Sequence, residues 1–68
     1  MSDRVYKKIR VIGCSSESYE KAVRMALEKA SGSLRGIAWF EVVEHRGAVV
    51  DGTAVEWQAT VDVAFKVD

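Results

Sequence analysis

Apolar and polar positions along the chain fall into a strand pattern, a helix pattern and two long strand patterns in succession. Residues Val5 to Ile12 (VYKKIRVI) alternate and are rich in β-branched side chains, which predicts a strand that Gly13 closes. The following CSSESYEKAVRMALEKASG offers Ser15 or Ser16 as the N-cap, Glu17 and Glu20 in the first turn, and Gly32 as the stop. Tyr19, Ala22, Val23, Ala26, Leu27 and Ala30 recur at helical spacing on one side, with Lys21, Arg24 and Glu28 opposite, so one face is built for burial. Two extended runs, Leu34 to Val50 and Thr53 to Val67, flank Asp51-Gly52, the dipeptide favoured in a two-residue type I′ hairpin.

With Asp51 and Gly52 at the turn, Val50 opposes Thr53, and a continuous ladder separates two faces. One holds Ala38, Phe40 and Val42 against Ala59, Val61, Val63 and Phe65, the apolar side expected beneath the helix. The other holds Trp39, Glu41, Val43 and His45 against Gln58, Thr60, Asp62 and Ala64. The expected fold is α+β, a β-α-β-β chain. The first two strands run parallel, so an antiparallel sheet needs the apolar third strand between them, in order 1-3-2. Arms of about 15 residues reach roughly 50 Å at about 3.3 Å per residue. A helix of about 15 residues spans only about 22 Å. The overhang, with Ala48, Val55 and Trp57, is expected to need another subunit to shield its side chains and strand edges.

Composition sharpens that expectation. The 68 residues are 49% hydrophobic, contain no proline and carry no net charge, a globular composition read as one domain over residues 1–68. Domains this small are commonly reinforced by disulfides, metals or oligomerisation. A single cysteine, Cys14, excludes an intrachain disulfide, and a single histidine, His45, argues against a metal staple, which leaves assembly. Neutral charge argues against a nucleic-acid partner. With no leader-like start and no apolar run of membrane-spanning length, the expected location is the cytoplasm, without a membrane partner.

Trp39 stands first among candidate functional residues, because it is a large aromatic on the face away from the helix, to be covered by a planar ligand or by a neighbouring subunit. Gln58, on the same face, can donate and accept at once, as the polar edge of a flavin or nucleobase requires, or can simply be solvated. Six residue pairs separate the two, roughly 20 Å at about 3.4 Å per residue, so one ligand reaches both only through two subunits. Arg46 offers a planar fork for phosphate, yet the uninterrupted ladder puts it on the opposite face, near Trp57 and Glu44. A bulge at Arg46-Gly47 would bring it across. Cys14 precedes the helix N-terminus, where a thiol can be activated, but has no partner cysteine or nearby histidine. His45 reads as a surface residue beside Glu41 and Asp62. No glycine-rich phosphate loop, CxxC pair or nucleophile triad is present.

VYKKI near the start, GCSSES before the helix, Trp39-Phe40-Glu41-Val42, Arg46-Gly47 and Trp57-Gln58 together resemble the dodecin family over nearly the whole chain. The resemblance implies a non-enzymatic, hollow homo-dodecamer of cubic symmetry that stacks flavins, FMN or riboflavin, in antiparallel pairs at two-fold axes. It also implies that Trp39 sandwiches the ring pair, Gln58 hydrogen-bonds the polar edge, and Arg46 takes the phosphate of FMN. Cys14 stands where threonine or serine is usual, and Lys66 where bacterial members commonly have arginine, which weakens selection for FMN over riboflavin. Some family members lack the tryptophan and are linked to calcium. A structural or ion-binding shell is accordingly the alternative function, against which Trp39 argues.

Overall fold

A computed structural model describes residues 3–68, in the order β1 (Tyr6–Ser15), α1 (Tyr19–Ser31), β2 (Ile37–Val50) and β3 (Thr53–Lys66). The strands form one antiparallel sheet in the order β1-β3-β2, as expected from the chain. The hairpin turn is also as expected: Asp51 and Gly52 both have positive φ, 50° and 76°, the backbone a type I′ turn requires. The body is elongated, 56 × 19 × 14 Å, because hairpin arms of 14 residues each far outreach a helix of 13.

Two punctuation marks differ from the expectation. The N-cap of α1 is Ser18, not Ser15 or Ser16: its backbone is extended and its Oγ accepts from Lys21 N at 3.0 Å. Ser15 instead builds the turn before the helix, its Oγ accepting from Glu17 N at 2.9 Å. Nor does Gly13 end β1, which continues two residues to Ser15. Gly13 lies under the helix, where a Cβ would fall 1.9 Å from the carbonyl oxygen of Ala22. Glycine there permits close packing of helix on strand.

The stripe Ala22, Ala26 and Ala30 is buried against Ala59, Val61 and Val63 of β3, with Ile9, Val11, Val23, Leu27, Leu34 and Ile37 around it. Small side chains let α1 approach closely, but among the described residues no fully buried side chain is larger than valine. The helix lies over β1 and β3, whereas Phe40 and Val42 of β2, expected beneath it, remain 46% and 42% exposed. With β3 central, a single helix seated on β1 and β3 leaves the outer strand uncovered. Trp57, expected to overhang, meets Tyr19 of the first helical turn edge-on, ring centroids 6.5 Å apart.

The β2–β3 ladder is interrupted where sequence reasoning kept it continuous. Pairing begins at Val50–Thr53, shifts where Val55 is extra on β3, and shifts back where Val43 is extra on β2, with a further irregularity at Ala38. Phe40, Val42, Trp39 and Glu41 therefore sit where expected, opposite Val63, Val61, Ala64 and Asp62. Residues 44–48 are displaced by one position and exchange faces.

Candidate functional site: the sheet face away from the helix

The displaced segment corrects two assignments. Arg46 pairs with Gln58, on the same face as Gln58 and Trp39 and not the opposite one. The irregularities responsible are at Val55 on β3 and Val43 on β2, not at Arg46-Gly47. His45 pairs with Ala59 and leaves the face of Glu41 and Asp62 to stack on Tyr19, with centroids 4.5 Å apart and planes at 21°.

Cross-strand rows now define this face. Lys8, Ala64 and Trp39 form one, Arg10, Asp62 and Glu41 the next, and Cys14, Gln58 and Arg46 a more distant one. Cys14 is exposed and in register with Gln58.

Trp39 is 43% exposed, but it is not solitary. Tyr6 packs against it at 4.8 Å between ring centroids with planes at 57°, and its Nε1–H donates to Glu41 Oε2 at 2.9 Å. Lys8 Nζ donates to both carboxylate oxygens of Glu41 at 3.3 Å. Those bonds, the one from Trp39 foremost and then Lys8, hold the Glu41 carboxyl below its ordinary range. Beside it, Arg10 makes a two-pronged ion pair with Asp62 at 2.7 and 3.1 Å. The hydrogen bonding lowers the Asp62 pKa and raises that of Arg10.

At the other end, Arg46 Nε donates to Gln58 Oε1 at 2.6 Å, and Gln58 Nε2 donates to Glu56 Oε1 at 2.7 Å. Gln58 keeps one N–H and one lone pair uncommitted, and Arg46 keeps the outer end of its fork. Ala64, which pairs with Trp39, stands six positions from Gln58 along β3, so the structure does not bring the three candidates into one place within a single chain.

Sequence reasoning missed Tyr6, Lys8, Glu41 and Glu56 as partners of the candidate residues. Glu41 and Glu56 each stand two positions from the residue they bind on the same strand, a same-face spacing visible in the sequence. Tyr6 and Lys8 required the β1–β3 register, which no turn fixes. Among the described residues no group of three or more His, Cys, Asp or Glu is placed to hold a metal ion.

Comparisons with known proteins agree with this architecture. The family model described as Dodecin matches residues 5–68. The dodecin of Thermus thermophilus is 38% identical over 65 residues, covering 96% of this chain and 94% of that protein. A solved structure of the dodecin from Streptomyces davaonensis superposes with a TM-score of 0.93 at 39% identity, covering 98% of each chain. The calcium dodecin of Mycobacterium tuberculosis is 34% identical over 62 residues, 91% of this chain and 87% of its own, and its solved structure, described as having a novel calcium-binding site, superposes with a TM-score of 0.83, covering 94% of this chain and 91% of that one. The order of elements, the sheet topology and the match over residues 5–68 make this chain a member of the dodecin family.

Proposed function

We propose that the protein is a cytoplasmic flavin store, a homo-dodecamer that stacks FMN or riboflavin in pairs between Trp39 side chains of two subunits and performs no turnover. The observation that carries this reading is the Trp39 ring, 43% exposed yet held by Tyr6 and Glu41 on the face that no element of its own chain covers. A large, ordered, half-exposed indole suits a planar aromatic ligand.

The residues present fit a flavin. Gln58 retains one donor and one acceptor, which matches the alternating polar edge of an isoalloxazine, and the free end of the Arg46 fork suits a phosphate. The length of β3 between Trp39 and Gln58 requires a second subunit to complete the site. Assembly has further support in the exposed Phe40, Val42, Val49, Val50 and Val55 and in a core whose largest fully buried side chains, among the described residues, are valines. A bound flavin supplies a planar π system whose excited state an adjacent indole quenches by donating an electron, so Trp39 would protect the cell from flavin photochemistry. A calcium-type shell is the alternative, suggested by the M. tuberculosis relative. The two carboxylates in the row next to Trp39 are already engaged, Glu41 by Lys8 and Asp62 by Arg10, which favours flavin.

The test is titration of FMN with the flavin-free protein, following flavin fluorescence, with sedimentation on the same sample. Strong quenching on a dodecamer-sized particle is expected. Unquenched fluorescence on that particle would leave the shell and remove the flavin function.

A further inference from the structure

We infer that Glu41 is the positioning residue of Trp39, and that through Lys8 it references the indole to β1, on the far side of the sheet. Trp39 lies on the outer strand beside the irregularity at Ala38, where a half-exposed side chain would ordinarily populate several rotamers. Two contacts oppose that freedom: the tilted ring of Tyr6, which props the indole, and the Nε1–H bond to Glu41. Glu41 is in turn gripped at both carboxylate oxygens by Lys8, which reaches across the central strand β3. Asp62, directly opposite Glu41, would compete for Lys8 were it not paired to Arg10. The Arg10–Asp62 pair therefore leaves Lys8 to Glu41.

The consequence for binding rests on the flavin reading, because a ring already held in one orientation loses less freedom when a planar ligand stacks on it. The holding itself does not depend on that reading and is measurable without ligand. The full chain labelled with 15N at its two indoles gives one N–H resonance for Trp39 and one for Trp57, assigned by a Trp57→Phe spectrum.

In Glu41→Leu the Trp39 N–H is expected to move upfield and exchange faster with solvent while Trp57 stays in place, and FMN affinity to fall about tenfold. Glu41→Gln, which keeps an acceptor for the indole, should restore most of the resonance position and of the affinity. Lys8→Met should give an intermediate shift. An unmoved Trp39 resonance in Glu41→Leu overturns the inference, and a moved resonance with FMN affinity unchanged overturns its consequence for binding. If Glu41→Leu does not fold, Lys8→Met decides in the same way. If the unsubstituted protein takes up no FMN, the flavin reading fails, and the indole resonances alone decide whether Glu41 holds Trp39.

Discussion

Arg46 Nε donates to Gln58 Oε1 at 2.6 Å across the β2–β3 ladder, and this bond fixes the polarity of an otherwise reversible amide. A guanidinium only donates, so the amide oxygen must face Arg46. The amide nitrogen then faces the acceptor Glu56, at 2.7 Å. The group expected to take a phosphate and the group expected to read a ring edge are thus mechanically joined.

That joint predicts linked losses. Arg46→Ala should weaken FMN more than riboflavin, since only FMN carries the phosphate, but riboflavin should weaken too, because Gln58 is then held by Glu56 alone. Arg46→Lys should give an intermediate result, retaining charge without the planar fork. Parallel titrations of both flavins check this, and identical riboflavin affinity in Arg46→Ala and the parent would break the link.

Removal of the stacking surface should be the largest single loss. Aromatic stacking on a planar base is worth about 1–3 kcal/mol, so Trp39→Ala should lower flavin affinity by about 10–100-fold and abolish most of the quenching. Trp39→Phe should fall between. A Trp39→Ala protein with full affinity and full quenching would contradict the stacking model.

Gly13 should tolerate no side chain. The Cβ of Gly13→Ala would lie 1.9 Å from Ala22 O, and a backbone atom within a helix cannot yield as a flexible side chain does. The helix must lift from β1, at a cost of about 3 kcal/mol, as for severe overpacking. Urea denaturation of Gly13→Ala against the parent measures it, and an unchanged midpoint would refute the close approach.

Acidification should loosen the face that carries Trp39. Asp62 and Glu41 both titrate below their ordinary ranges, Asp62 through its hydrogen bonds to Arg10 and Glu41 through Trp39 and then Lys8. A carboxyl depressed in the folded state binds fewer protons than in the unfolded chain. Its stabilisation is therefore complete above the ordinary carboxylate range and is lost as pH falls through that range to the lowered values. Thermal unfolding across this acid limb should show a shallower decline in Asp62→Asn than in the parent.

The elements, the type I′ turn and the strand order were legible in the sequence because each depends on local spacing: alternation, helical periodicity, and the positive φ tolerated by Asp51-Gly52. Trp39 and Gln58 were legible as candidates for the same reason. The face of Arg46 was not. Val43 and Val55 are ordinary strand formers that give no local sign of a bulge, and Gly47, which does look like one, is regularly paired with Trp57. Whether a ladder slips by one residue is decided by how both strands meet the helix and each other. Only the folded chain could therefore put Arg46 against Gln58, carry His45 to Tyr19, and bring Tyr6 and Lys8 from the opposite edge strand to the Trp39–Glu41 pair.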